Sequence, residues 1–450
     1  MPLWPIHPKP KEGELLSSWI TRLARANHMA TADFCRVVLP DKSTTLKEID
    51  RTYNAEMMQA LADGAGVPIE RVWETSLLSD EGYVFNHRSY GTTEWVLPTA
   101  AVDGVDGNGM AYCPQCLDSD AEPYYRKSWR FAFNPVCPTH RAFLRHGCPS
   151  CGKPYNYFYA ASTQPSMANL IVTCRWCGAT MRHAPADQDN SALIDSVLAI
   201  QEKINSGIGS DSFAVFGHDY IHAQPYLRFF HTCMNSLTVP DKARWVARNH
   251  PEALPKGINV AVLDRNDYTF VIEQRSPEEL GTLLCLADVL MGGWPDRFMH
   301  YVRKLKISPH KFFSSKTIPH WVTQSASEFW FTKAEGFSNG EIENAGQILR
   351  KKLGRPESEG ELKVFMTLGK VRNLDKVSHK KRKEAELSPA NFELKHSGPG
   401  GDFPRKKSDK WRKLIAVESA ELLAKIAVLR KPAQIAADEP TTQLELFDKK

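Results

Sequence analysis

Four short Cys/His pairs between residues 113 and 177 constrain this chain more than any other feature: Cys113-Pro-Gln-Cys116, Cys137-Pro-Thr-His140, Cys148-Pro-Ser-Cys151 and Cys174-Arg-Trp-Cys177. A tight knuckle brings two side chains separated by two residues onto one ion, at about 2.3 Å per sulfur. Gly152 and Gly178, directly after two of the knuckles, supply the permissive backbone that such turns need. Eight ligands make two closed tetrahedral sites. In the sequential pairing Cys113, Cys116, Cys137 and His140 hold one ion, and Cys148, Cys151, Cys174 and Cys177 hold the other. An interleaved cross-brace, joining 113/116 with 148/151, uses the same eight residues. Either pairing leaves no open position for water, so the expectation is two structural Zn2+ ions per chain and no catalytic metal.

Seven of the ten cysteines fall in this stretch, a distribution that favours metal binding in a reducing compartment over a disulfide framework. Cys35, Cys233 and Cys285 stand alone and read as packing residues. His146 and His183 flank the knuckles and read as surface residues or neighbours of the ligands.

At 450 residues the chain is too long for one ordinary core, and two or three domains are expected. Charged residues at 24% and hydrophobic residues at 42% exclude wholesale disorder. Glu14 to Ala26 places Leu15, Trp19 and Leu23 on one helical stripe, with Gly13 before it. A second helical pattern over Asn54 to Asp63 turns Met58, Leu61 and Ala62 inward, Gly64 and Gly66 are expected to break it, and Pro68 opens a helix through Val72 and Trp73. That outline resembles a helix-turn-helix, with Arg71 at the start of its second helix, although many helical hairpins look the same. Leu280 to Leu290 is strongly apolar, stops at Gly292, Gly293, Trp294 and Pro295, and is followed by a helix over Asp296 to Leu305, a second candidate of the same kind.

The formal charge of +5 is unevenly placed. Residues 350–413 carry 19 Lys/Arg against 9 Asp/Glu, whereas residues 1–349 carry 33 against 37. Lys380, Lys381, Arg382 and Lys383, followed by a Gly/Pro-rich run, read either as a basic segment that meets a polyanion or as a solvated linker. The chain ends on Gln443-Leu444-Glu445-Leu446-Phe447. This run is similar to the short peptide by which bacterial proteins dock on the DNA sliding clamp: Leu and Phe fill an apolar pocket and Gln bonds at its edge. An ordinary amphipathic tail is the alternative.

Gly147 to Lys153 fits the opening of a phosphate-binding loop, but Pro154 stands where Ser or Thr must reach magnesium. No nucleophile elbow, His-Glu-x-x-His or dinucleotide turn is present, so no enzymatic activity is expected. A nuclease with dispersed acidic ligands is the enzymatic rival. The longest apolar run is interrupted at Asp288, short of the roughly 18 residues that span a bilayer. The opening residues lack the apolar core of a secretory signal, so a cytoplasmic, nucleoid-associated protein with no membrane partner is expected.

Taken together, several blocks resemble the TniQ family, which includes TnsD-type target selectors. Pro8 and Gly13-Glu14-Leu15-Leu16-Ser17-Ser18-Trp19, then Arg22-Leu23-Ala24 and Asn27, are similar to its opening block. Leu61 to Leu77 is similar to its second helical pair. Tyr112-Cys113 to Cys116, Trp129-Arg130 and Val136-Cys137 to His140 are similar to its first zinc motif, and Cys148 to Gly152 begins the second. Residues Trp294 to Phe298 match a downstream segment of longer members more loosely.

The resemblance implies a transposition target-site adaptor that binds target DNA or a CRISPR guide-RNA surveillance complex, often as a homodimer, and recruits an AAA+ transposition regulator. The competing reading is a stand-alone zinc-containing DNA-binding transcriptional regulator.

The expected fold is mainly α and multidomain, with helix-turn-helix-like helical domains around a small α+β double zinc ribbon. Its parts would be a helical domain at 1–110, the ribbon at 111–185, a second helical domain at 186–350, a basic linker at 351–413, and a helix with tail at 414–450.

Overall fold

The computed structural model describes residues 3–38, 49–51, 54–85, 92–99, 109–158, 171–183, 190–215, 218–264, 271–313, 318–319, 321–322 and 339–368. Lys380–Lys383, the segment from Leu414 and the Gln443–Phe447 tail lie outside these residues. The fold is mainly helical. None of its helices, among the described residues, is long and apolar enough to cross a membrane.

The N-terminal part begins with α1 (Leu16–Ala26) and α2 (Thr31–Val38). Gly13, at φ +63, turns the chain into α1, and Leu15, Trp19 and Leu23 are fully buried along the stripe that the sequence predicts. α3 (Ala55–Ala65) is capped at one end by Asn54, whose side chain accepts from Met57 N at 2.8 Å, and ends at Gly66 in the left-handed region. The sequence places a break at Gly64, but α3 runs through it. The indole of Trp4 lies on that face, where a Cβ would come within 2.2 Å of its Cε2 atom. The glycine is there to admit a ring, and the helix tolerates it because Gly66 supplies the stop. α4 (Ile69–Thr75) packs on α3 and is only two turns long.

α5 (Pro114–Ser119) and the hairpin of β1 (Val136–Cys137) and β2 (Ala142–Phe143) carry the first group of Cys and His residues. Then follow α6 (Ser191–Ser210) and a second antiparallel hairpin, β3 (Phe213–Val215) with β4 (His218–Ile221), which the helical reading of this region does not anticipate. α7 (Ala223–Leu237), α8 (Pro240–Asn249), α9 (Pro277–Gly292) and α10 (Asp296–Lys304) form the next helical layer. Short α11 (Pro309–Phe312), then α12 (Asn339–Leu353) and α13 (Glu359–Leu368), complete the described chain. α9 starts on a capping box between Ser276 and Glu279, and is apolar almost all round because α6, α7, α8 and α10 surround it.

One continuous core runs from Leu15 to Val322, so the Cys-rich block is packed into the helices. Leu15 N donates to Tyr125 O at 2.9 Å, and Lys127 N to Gly13 O at 2.7 Å. Gln201 on α6 completes the open edge of β1 with both ends of its amide, accepting from Val136 N at 2.9 Å and donating to Val136 O at 3.0 Å. Phe143 on β2 lies on Gly281 of α9, where a Cβ would stand 2.9 Å from its ring.

A buried ion pair ties the N-terminal helices to the Cys-rich block. Arg130 donates to Asp50 Oδ2 at 2.9 Å, both being about as buried as Leu side chains in the core. Asp50 also accepts from Ser17 N at 2.8 Å and Ser17 Oγ at 3.0 Å. Removing one member of such a pair strands the other charge without water. Asp50→Ala is expected to lower stability by about 3–5 kcal/mol in urea denaturation, with a smaller loss for Asp50→Asn; an effect under about 1 kcal/mol contradicts this account.

Candidate metal centre

Cys113 is the residue that precedes α5, and Cys116 sits in its first turn, so the helix start itself forms the first knuckle. Cys137 ends β1, and His140 lies in the turn to β2, which Arg141 closes at φ +50. The other two knuckles are built alike. Gly152 N donates to Cys148 O and Gly178 N to Cys174 O, each at 2.9 Å, with both glycines in the left-handed region. Inside each loop a backbone N–H points at the leading sulfur, from Ser150 to Cys148 Sγ and from Trp176 to Cys174 Sγ, both at 3.4 Å.

The structure brings the eight residues into two groups, Cys113, Cys116, Cys137 and His140, and Cys148, Cys151, Cys174 and Cys177, with all donor atoms of a group within 4.8 Å of one another. These are the sequential pairs; the interleaved arrangement is not the one formed.

A tetrahedron of sulfurs about 2.3 Å from a common centre has edges of about 3.8 Å, and slightly shorter edges to an imidazole nitrogen. In the first group Cys116 and Cys137 are 3.6 Å apart, and His140 Nδ1 stands 3.6, 3.3 and 3.7 Å from Cys113, Cys116 and Cys137. In the second group Cys148 to Cys177 is 3.6 Å and Cys151 to Cys174 is 3.8 Å. The donor sets therefore fit a four-coordinate ion with every position filled by protein, and both groups could hold one.

Electrostatics lead to the same conclusion. Hydrogen bonding to Cys113 and Cys137, with burial, pushes the Cys116 thiol well up, while hydrogen bonds from Cys113 and Cys116 hold Cys137 well down. Thiols this close cannot all ionise together unless a cation offsets their mutual repulsion.

Cys35, Cys233 and Cys285 are buried away from both groups, and burial pushes all three thiols up, Cys35 and Cys285 to about 12. His146 is half-buried and His183 exposed, and neither joins a donor group. Arg71 lies partly exposed on α4 and is bonded to Glu74 at 2.8 Å.

Sequence reasoning singles out Trp176 only as a spacer between ligands. The knuckle holds it 53% exposed, with the Arg175 guanidinium 4.3 Å and the Lys153 ammonium 4.8 Å from its ring centre. A rigid loop bearing an exposed indole and two cations is a contact surface in form.

The opening motif has a different role. Glu14, Ser17, Ser18 and Arg22 are all buried. Arg22 bridges Glu14 at 2.6 Å and Glu122, beside α5, at 2.7 Å. Ser18 Oγ accepts from Tyr125 N at 3.0 Å, and Ser17 Oγ meets Tyr157 Oη at 2.7 Å.

Among protein families, the TniQ model matches residues 5–144. That span takes in α1 to α5 and the first metal group and stops short of the second. No curated protein matches the chain.

Metal analysis of the purified chain is expected to return about two ions per molecule, falling to about one in a Cys113→Ser/Cys116→Ser variant; a value near one in the unaltered chain contradicts the assignment.

Proposed function

From the TniQ domain at residues 5–144 we propose that the chain is a non-enzymatic adaptor for transposition target-site selection, which engages target DNA or a guide-RNA surveillance complex and recruits an AAA+ transposition regulator. The observation that carries this reading is the coincidence of the family match with a fold in which the matched helices and the first metal group are one packed body. The ion in both groups is Zn2+ in this reading. Three thiolates with one imidazole, and four thiolates, each at tetrahedral spacing, suit a borderline-soft ion without redox chemistry, and a closed shell assigns it a structural part. Bound zinc would fix the two knuckle pairs against each other, so that the surfaces around them stay preformed for a macromolecular partner.

The chain's own residues contribute rigidity. The Arg22 bridge to Glu14 and Glu122 holds α1 on the first metal group. Asp50 and Arg130 hold the loop before α3 on the same block. With these parts fixed, partner binding costs little ordering entropy, the property an adaptor needs to join two proteins or a protein and DNA.

The test is reconstitution with an AAA+ transposition ATPase and its transposase. The full chain is expected to retain the ATPase on DNA in a pull-down and to direct insertions to a restricted set of sites, with Cys148→Ser/Cys151→Ser reducing both at least ten-fold. Sequence-specific footprinting of a promoter by the chain alone, with no retention of an ATPase, would replace this reading with that of a transcriptional regulator. Iron in place of zinc would overturn the metal assignment and leave the adaptor reading standing.

A further inference from the structure

No Asp or Glu occurs between Asp296 and Glu328, while Arg297, Arg303, Lys304, Lys306, Lys311 and Lys316 fall within that interval. This stands out in a chain whose first 349 residues are slightly acidic overall. A carboxylate-free run is informative only if the fold exposes its cations, and Arg303, Lys304, Lys306 and Lys311 are all exposed.

α10 turns Phe298, Met299, Tyr301 and Val302 into the core and leaves His300, Arg303 and Lys304 exposed, at the three- and four-residue spacing of one helix face. Beyond the helix, Lys306 and Lys311 are also exposed. α8 lies alongside. Trp245 of α8 meets His300 edge-on at 5.3 Å and Tyr301 at 5.9 Å. Lys242, also on α8, donates to Ser236 Oγ at 3.4 Å, and that hydroxyl is 2.7 Å from Tyr301 Oη on α10. Lys242 is thereby drawn toward the α10–α11 cations. Its ammonium is pushed down, by burial first and by the charge of Lys311 second.

α10 opens on the exposed Asp296, one turn before His300, and the other acids nearby are committed to partners. Asp241 and Asp264 hold Arg244 at 3.0 and 2.6 Å, and Glu252 lies between His250 and Arg297 at 3.8 and 3.9 Å. Among the described residues no carboxylate pairs with Lys304, Lys306 or Lys311.

Helix-end stabilisation accounts for Arg303 and Lys304 in the last turn of α10, where cations offset the partial negative charge of the terminal carbonyls. It does not account for Lys306 and Lys311, which lie past that helix, or for bringing Lys242 near Lys311. Like charges gathered on a surface are tolerated for a polyanion that neutralises them.

We propose that the face formed by α8, α10 and the turn into α11 is a docking surface for the phosphate backbone of duplex DNA. The inference rests on the target-selection reading and deepens it, since it puts direct duplex contact outside the TniQ domain. Duplex is favoured over single strands because the large apolar side chains of the stretch, Phe298, Tyr301, Ile307, Phe312 and Phe313 among them, are buried and offer no ring to an unstacked base. The same burial leaves nothing to enter a bilayer. With cations alone, the contact positions the protein on DNA without reading sequence.

The test is fluorescence anisotropy of the zinc-loaded full chain with a 30-bp duplex (about three helical turns) of arbitrary sequence, across a range of salt concentrations. Lys304→Gln/Lys306→Gln/Lys311→Gln is expected to weaken binding at least ten-fold and to flatten the slope of log K against log salt by about 2.7, since each phosphate contact contributes about 0.9. The corresponding Lys→Arg triple should bind as the unaltered chain does, which separates charge from fold. A Gln substitution of Lys380–Lys383 should leave the difference between the two triples unchanged. The proposal is overturned if the unaltered chain does not bind the duplex, if the Gln triple keeps its affinity and slope, if the Arg triple loses binding equally, or if the Gln triple loses only an acidic protein partner. Duplex binding by a chain that retains no ATPase and directs no insertion would instead fail the adaptor reading and leave this one intact.

Discussion

Eight Cys and His side chains crowded into two groups, each able to hold a metal ion, set the terms for everything packed around them. Their sulfurs stand 3.6–3.8 Å apart, closer than several thiolates tolerate without a cation between them. The groups close the loops 116–137 and 151–174, and the described part of each carries only short helical turns, such as Lys127–Arg130 in the first. An ion bound in either group would add its binding free energy to the folding of this block. The two groups differ in setting. In the first group the three cysteines are buried beneath α5 and the β1–β2 hairpin, whereas the second reaches the surface at Cys177 and Trp176. A chelator should reach the second group first, which makes the order of metal loss a readout of the packing.

Around that block the helices are attached by polar groups as much as by apolar ones. Arg130 and Asp50 are 80 residues apart in sequence, and Glu273, far down the chain, accepts from Trp95 N and lies against His231, both at 2.7 Å. Burial alone would raise the Glu273 carboxyl; attraction to His231 and the hydrogen bonds from His231 and Trp95 together hold it below its ordinary value. Such pairs gain little over an apolar contact in net energy, but they admit only one arrangement, because any slip strands a charge in the core. The core from Leu15 to Val322 is thus fixed in register at several distant points.

What the sequence makes legible follows from the range of the forces involved. The knuckles are local, so their spacing reports the eight residues that the fold groups, and α1 is legible because its stripe repeats at the helical period. Gly64 misleads because its role is set by Trp4, sixty residues away, whose ring needs the missing side chain. The β3–β4 hairpin is three and four residues long and set between helices, too short to stand out by alternation. Asp50 carries no sequence signal, and Arg130 stands out only as part of the Trp129-Arg130 block, because their pairing across 80 residues is set by the fold. The cations after Asp296 are hidden for another reason: averaging charge over 349 residues gives a slightly acidic total that conceals a basic face. The Lys380–Lys383 and tail motifs fall outside the described residues, but the start of the expected linker is not a linker: α12 runs to Leu353 and α13 follows, with Val364 and Phe365 buried, because apolar spacing in this stretch is overshadowed by its charge.

The most characteristic stretch of the TniQ match gives architecture and not recognition. Glu14, Ser17, Ser18 and Arg22 are each almost fully buried and spend their polar atoms on Asp50, Glu122, Tyr125 and Tyr157. Side chains buried this deeply, with most of their polar atoms bonded inside the protein, are out of reach of a partner. In this chain the motif mounts α1 on the Cys-rich block. Trp176 between its two cations, and the cations Arg303, Lys304, Lys306 and Lys311 at the end of α10 and beyond it, are exposed. All of these lie beyond residue 144, in the part that the family match does not cover.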